Sequence, residues 1–359
     1  MITPPKKVGN TKRLQWIDAA KGIAILGVLL IHIGRAPIGN YDYHAVIFNY
    51  LFYIVAPFMP LFFFLSGITF SDKKGIIKKR ATQIVIPYVS WALFYYAIYN
   101  TRIIYSNQWT IDEAILKFVG ILYGRSGMLA QGSGPMWFLT ALFSSYVLYL
   151  PIHRTKTRKY RICLICLYSL ILTMLYTTQF LLPWNLDTAF AGAILIHAGY
   201  CCKKFGIFEN PSSKTTIIAS IAAIPIYITS VNLNGGGWGM FMRNLGNSGY
   251  LSPLLFLCMG ICGSFLFCLF SLCLEKLKLS SILATIGRHT LTILCSHYFI
   301  YGIATPIIVY SISLHPSLQA MAPYCFILQI SAAIIFAILF DKLKMPAMRM
   351  FNKRLQRIS

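Results

Sequence analysis

Trp16-Ile17-Asp18-Ala19-Ala20-Lys21-Gly22-Ile23-Ala24-Ile25-Leu26-Gly27-Val28-Leu29-Leu30-Ile31-His32 reads as a first membrane span that carries three ionisable residues. Charge inside hydrocarbon is costly, so such residues face a cavity or a partner. At about 100° per residue, the eleven steps from Lys21 to His32 make three turns plus roughly 20°. Asp18, Lys21, Ile25, Val28 and His32 therefore share one stripe. Lys21 and His32 lie roughly 16 Å apart along the axis. A cation near the inner mouth and an imidazole deeper in the membrane are then aligned on one wall. The alternative is a lysine that snorkels to the interface and a histidine held by a neighbouring helix.

Outward from this helix, the rest of the chain has the composition of a membrane protein. Of 359 residues, 57% are hydrophobic and 11% charged, with a mean hydropathy of +0.66. A soluble domain has about 25% charged residues. The net charge of +23 would suggest a nucleic-acid partner in a soluble chain. Here the basic residues form short blocks between apolar runs, which fits the positive-inside rule and excludes a nucleic-acid stripe.

The apolar runs predict an all-α, polytopic protein with about ten spans. They fall near 17–34, 46–70, 84–101, 135–151, 160–178, 184–202, 215–231, 251–274, 281–308 and 322–341, with 113–124 as an interfacial or re-entrant helix. The expected inner segments are the N-terminus, 71–80, 152–161, 203–214, 275–280 and the tail from Asp341. Counting Lys21 with the N-terminus, they hold 26 of the 32 Lys and Arg. Arg35, Arg102, Lys117, Arg125 and Arg243 fall in outer loops, and Arg288 falls inside the ninth span. Both termini are thus expected in the cytoplasm. The first span resembles a signal peptide in its basic start, but Asp18 and Lys21 interrupt it and no small-x-small site follows, so it is read as retained. One integral-membrane domain over 1–359 is expected, with 1–16 and 342–359 as cytoplasmic ends. No internal repeat or inverted pair of broken helices points to a secondary transporter.

Few soluble-enzyme motifs compete. The ten cysteines sit almost wholly inside spans. Cys163 and Cys166 have CxxC spacing within an unbroken apolar run, where thiols act as small hydrophobes. HExxH, P-loop and GxGxxG patterns are absent, and no metal site is expected. Gly235-Gly236-Gly237-Trp238-Gly239 lacks the Lys and Ser/Thr of a phosphate cradle and reads as an outer loop, with Trp238 available to stack on a sugar.

Intramembrane polar residues carry the remaining information. Besides the first-span stripe these are Ser66, Asp187, His197, Arg288, His289 and His297. Ser66-Gly67 ends the second span just before the basic run Lys73 to Arg80, and also suits close helix packing. Asp187 can cap the sixth span. His197 reads as a packing residue, and His297 either as a hydrogen-bonded core histidine or as part of a site.

Six segments in order resemble the acyltransferase 3 family of membrane-bound acyltransferases, nearest its fucose 4-O-acetylase-like branch. They are Trp-Ile-Asp-x-x-Lys-Gly-Ile-x-Ile…His over 16–32, Phe-Phe-Phe-Leu-Ser-Gly at 62–67 and Lys-Lys-Arg…Ile-Pro-Tyr at 78–88. Pro-Met-Trp-Phe-Leu-x-Ala-Leu-Phe at 135–143, Leu-Pro-Trp-Asn-Leu-Asp at 182–187 and Gly-x-x-Thr-Leu-x-Ile…His at 287–297 complete the set. Lys21 stands where arginine is common in the family, and lysine makes a point contact to phosphate rather than a fork. Gln83 stands where a second basic residue often follows Arg80. His289 replaces a small polar residue, and Thr290 the usual serine.

The resemblance implies a bacterial multi-pass inner-membrane enzyme without a bound cofactor. It would move an acetyl group from cytoplasmic acetyl-CoA, its co-substrate, to a hydroxyl of a surface glycan or lipid-linked sugar, with membrane lipids around it. Lys21, Lys79 and Arg80 would contact the CoA phosphates. His32 would be the general base or a covalent relay, with Asp18 holding Lys21. Ser66, Trp137, Asp187, Arg288, His297 and Trp238 are candidates along the substrate path. A flippase or exporter, or a polymerase, of lipid-linked glycans is the rival reading, because such proteins also combine many spans with buried charge.

Overall fold

The computed structural model describes residues 14–33, 53–106, 108–235, 248–315 and 322–358; they are mostly helical, with no strand among them. The first span is α1, Gln15–Ile33. A turn at Ala56–Pro57 leads into α2, Phe58–Ile68. Next come α3, Ile76–Tyr105, and α4, Ile111–Tyr123. The Thr110 side chain caps α4 by accepting from Glu113 N, and Gly124 at φ 74° ends it. The middle of the chain gives α5, Trp137–Arg154, α6, Arg158–Thr178, and α7, Leu186–Lys204. Then follow α8, Lys214–Asn234, α9, Ser252–Lys276, α10, Ser281–Arg288, α11, Thr290–Leu314, and α12, Ala322–Ile358.

Eight helices are long and apolar enough to cross a membrane, with Tyr53–Ile68 a shorter apolar one. The helix over the expected span 184–202, α7, is not among the eight; it carries Asp187, His197, Lys203 and Lys204. The run 281–308, expected as one span, is two helices. The helix is interrupted at His289, and Thr290 Oγ1 donates across the interruption to Gly287 O at 2.7 Å. A second irregularity is the π turn Ala81–Val85 inside α3. Pro87 explains it: the ring lacks an N–H and crowds the carbonyl four residues back, that of Gln83, so the turn widens.

The interior is built from α1, α2, α5 and α7. Of the α1 span window 72% is buried, against 11% for α6; the exposed apolar faces of α6, α8 and α12 are what a bilayer would cover. Small residues let the inner backbones touch. A Cβ on Gly22 would strike the Leu283 carbonyl, and one on Gly287 the Asp18 carbonyl. This clamps α10 to the base of α1, the small-residue packing that stands in for hydrophobic drive inside lipid. Gly67 packs in the same way on α7 at Ile196.

Residues assigned to the inside by charge meet one another. Asp72, in the loop after α2, takes both Nε and Nη2 of Arg154 at 3.1 Å. That pairing holds its carboxyl below the usual carboxylate range. Its contribution is present at neutral pH and is lost as pH falls through the lowered value. We expect a reporter fused after Ser359 to behave as cytoplasmic and one inserted at Gly236 as external. The opposite labelling would reverse every assignment of side made below.

Candidate active site

Near its N-terminal end, α1 presents Lys21 a third exposed, with Nζ 3.7 Å from Oδ1 of buried Asp18. One turn separates the two, so the pairing follows from helical spacing. The α10 clamp brings Arg288 to the same place, where its Nη2 donates to Thr285 Oγ1 at 2.7 Å. From α3 comes Arg80, the last residue before the π turn. Its guanidinium lies 4.4 Å over the Tyr146 ring, and Nη1 donates to Gln83 Oε1 at 3.3 Å. Gln83 thus orients Arg80. Arg80 Nε is buried and has no hydrogen-bond partner.

Lys21, Arg80 and Arg288 line one cavity of about 310 Å³, together with Ser66. Arg288, left over in the charge count, therefore sits at a helix break beside two other cations. Ser66 Oγ donates to Phe62 O at 2.8 Å. Lys79 is exposed and does not line this cavity. Farther in, the walls turn apolar with Phe62, Phe138, Leu291 and Leu294. Leu294 precedes His297 by three residues, about 4.5 Å of helix rise. The cavity thus runs from three cations at its mouth to within a turn of an imidazole.

His297 is fully buried and His32 half-buried. Their rings meet with His32 Nδ1 2.9 Å from His297 Nε2. Nδ1 of His297 is 3.0 Å from the Ile293 carbonyl. A carbonyl only accepts, so that nitrogen carries the proton and Nε2 of the neutral ring accepts. His32 Nδ1 must then donate, which leaves the lone pair on His32 Nε2. Proton positions are thus assigned from the hydrogen-bond network. The Tyr298 ring stacks on His297 at 4.9 Å and leans on His32 at 5.1 Å. An imidazole with its Nε2 lone pair held in place can take a proton from an alcohol or attack a carbonyl carbon.

The other expected site residues lie elsewhere. Asp187 is completely buried and pairs with Arg125 at 2.8 Å. Its second oxygen takes Thr188 N at 2.8 Å, inside the first turn of α7. Arg125 also donates to Leu182 O at 3.0 Å. Beside it, Asn185 at φ 50° donates through Nδ2 to Gly124 O at 2.9 Å and Thr140 Oγ1 at 2.8 Å. Trp137 is buried at the start of α5, and its carbonyl accepts from Asn185 at 3.3 Å. These residues form a latch between the loops before α5 and α7. Asp187 and Trp137 line neither the inner cavity nor the histidine pair. Trp238 lies outside the described residues. His197 packs against Cys201 Sγ at 3.5 Å and the Tyr149 ring. Cys163 and Cys166 are free thiols on the exposed face of α6.

Two partners escaped the sequence reading. Arg125 was counted only as an outer-loop charge; a cation on the poorly basic side is itself a hint of pairing. Asp341 was taken as the end of a span. It accepts from Thr292 Oγ1 at 2.6 Å, and its other oxygen is 2.7 Å from His289 Nδ1. The pair ties α12 to the helix break. The signal was there: Asp341 is one of nine acidic residues, at the edge of an apolar run.

A family model described as an acyltransferase domain matches residues 14–341, which include all of these groups. Neither a curated protein nor a solved structure matches the chain.

Proposed function

Because the chain belongs to the acyltransferase 3 family and is built of membrane-length helices, we propose that this membrane acyltransferase moves an acetyl group from cytoplasmic acetyl-CoA to a hydroxyl of a surface or exported glycan. The setting we propose is the cytoplasmic membrane of a bacterium. The observation that carries this reading is the inner cavity, with Lys21, Arg80 and Arg288 at its mouth and apolar walls leading toward His297 and His32. CoA is a polyanion on a long, largely uncharged arm that ends in the thioester, and a cationic mouth with an apolar throat matches that shape of charge. A guanidinium in the lining, that of Arg80, suits a phosphate oxygen.

In the proposed reaction, His32 Nε2 takes the proton as the acceptor oxygen attacks the thioester carbonyl carbon. The C–O bond forms, the C–S bond breaks, and the departing thiolate recovers the proton from the imidazolium. His297 holds His32 in the required tautomer and accepts from its Nδ1 throughout. In the relay form, His32 Nε2 attacks first and expels CoA as the thiolate; the acceptor alcohol then opens the resulting acetylimidazolium, its C–O bond forming as the C–N bond to Nε2 breaks, and the alcohol's proton passes to the thiolate. The same tautomer serves both forms. Asp18 offsets the Lys21 charge and holds it at the mouth.

The donor half is tested at Arg80. A hydrogen bond to a charged group contributes roughly 1.5–3 kcal/mol, so Arg80→Ala is expected to weaken acetyl-CoA binding about tenfold or more. The loss should be larger in low salt, where the phosphate is least screened. Isothermal titration of the purified variants measures it. An unchanged affinity in correctly inserted Arg80→Ala protein would mean that Arg80 only obeys the positive-inside rule.

A further inference from the structure

One side chain of α3 reaches into the turn of α11 that carries His297. Tyr95 is buried. Its hydroxyl donates to Cys295 O at 2.9 Å and accepts from Phe299 N at 3.1 Å. Those two groups are four residues apart, the acceptor and donor that an α-helix pairs with each other. His297 lies midway between them. The Tyr95 hydroxyl thus bridges one rung of the helical ladder at the level of the histidine pair. A side chain that enters a ladder at such a rung sets the local bend of the helix.

The ring behind this hydroxyl has little freedom. Gly132 stands at φ 91°, and a Cβ there would come within 2.9 Å of two Tyr95 ring carbons. On its own helix the ring meets Phe94 edge-on at 5.7 Å and Trp91 at 6.2 Å. Gly132 belongs to the loop between α4 and α5. That loop is fixed at one end by the buried Arg125–Asp187 pair and at the other by the short turn Gly134–Met136. A chain of fixed contacts therefore runs from the latch, through Tyr95, to the backbone of α11.

What this turn must hold is one short contact. His32 Nδ1 and His297 Nε2 are 2.9 Å apart, and beyond about 3.5 Å no hydrogen bond remains. His297 Nδ1 is tied to Ile293 O of the same helix, so this imidazole follows the α11 backbone. Without the bond from His297, His32 is free to take the other tautomer, which protonates the Nε2 that the proposed reaction uses. Resting on the acyl-transfer reading above, we propose that Tyr95 is a positioning residue for that reaction. Its hydroxyl holds the His297 turn of α11 where His297 fixes the tautomer of His32, and it acts through the α11 backbone. The same helix supplies a control. Tyr88, about two turns earlier, is also buried, and its hydroxyl donates to Ile121 O of α4 at 2.7 Å, away from α11.

The test uses membranes of the gene-deleted native host that carry the full-length protein. They receive labelled acetyl-CoA over a range of concentrations. Alkali-labile label above that of the deletion membranes is counted as ester, per amount of folded protein recovered in detergent. Tyr95→Phe removes the hydroxyl and keeps the ring. Cys295 O and Phe299 N can then pair directly, so melting temperature should stay near wild type. The maximal rate is expected to fall about tenfold or more, because misplacing a reacting group by about 1 Å can cost about 10²-fold. The KM for acetyl-CoA should be unchanged, since Lys21, Arg80 and Arg288 are untouched. Gly132→Ala, which crowds the ring from its other side, should lower the rate in the same way, and Tyr88→Phe should keep it. A wild-type maximal rate in Tyr95→Phe or in Gly132→Ala would overturn the assignment. An equal loss in Tyr88→Phe, or a loss confined to KM, would overturn it too. Each of those results leaves the acyl-transfer reading standing, because wild type still forms ester. Wild-type membranes that form no ester would overturn that reading, and the assignment with it.

Discussion

His32→Ala is expected to abolish acetyl transfer while the protein still inserts and still binds acetyl-CoA. Two separations in the structure support this outcome. The cations that would bind CoA lie at the other end of α1, roughly 16 Å from His32 by helical rise. The packing of α1 also does not rest on the half-buried imidazole, because Ile25, Leu29 and Ala24 are fully buried around it. Lost general-base catalysis alone corresponds to about 10²–10⁴-fold in rate, and loss of a covalent relay would leave essentially nothing. Wild-type protein treated with labelled acetyl-CoA and no acceptor separates the two: label on His32 identifies the relay, and a clean protein identifies direct attack. A well-folded His32→Ala protein that acetylates at near wild-type rate would remove His32 from the mechanism and leave His297 as the next candidate.

The second large effect is on stability, at a pair far from the chemistry. Arg125→Met leaves the Asp187 carboxylate buried, with Thr188 N but no cation. Breaking a buried ion pair by removing one partner costs about 3–5 kcal/mol, whereas replacing both partners with apolar groups is often neutral. Arg125→Met should therefore insert poorly and melt well below wild type in detergent, and adding Asp187→Leu should recover part of the loss. Equal melting temperatures for wild type and Arg125→Met would show that the pair does not hold the two outer loops together.

Hydropathy made the architecture legible because every lipid-facing helix must satisfy its own backbone and expose apolar side chains. It misjudged the places where protein, not lipid, surrounds the chain. The run 281–308 reads as one span, yet the helix is interrupted at His289, beside the polar cluster Arg288-His289-Thr290; where a helix turns from lipid to protein leaves little mark on a hydropathy profile. The stripe of Asp18, Lys21 and His32 was readable from the period of the helix. The meeting of His32 with His297 was not: they are separated by 265 positions, and period within one helix says nothing of which face of another it meets. Arg80 could be flagged by its place after a span, but not its cation–π seat on Tyr146 or its orientation by Gln83. Arg125 and Asp187 were each noted singly. Pairing them takes the left-handed turn at Trp184 and Asn185, a local backbone choice unusual for such residues.

The central claim is that this protein places acetyl groups on a glycan through His32. It is tested most directly by mass analysis of surface glycans from the native host with the gene deleted, and after complementation with wild type or with His32→Ala. Acetyl esters restored by wild type, and absent from the deletion and from the His32→Ala strain, are the expected result. Glycans with the same ester content in the deletion strain as in wild type, or esters fully restored by His32→Ala, would contradict the account.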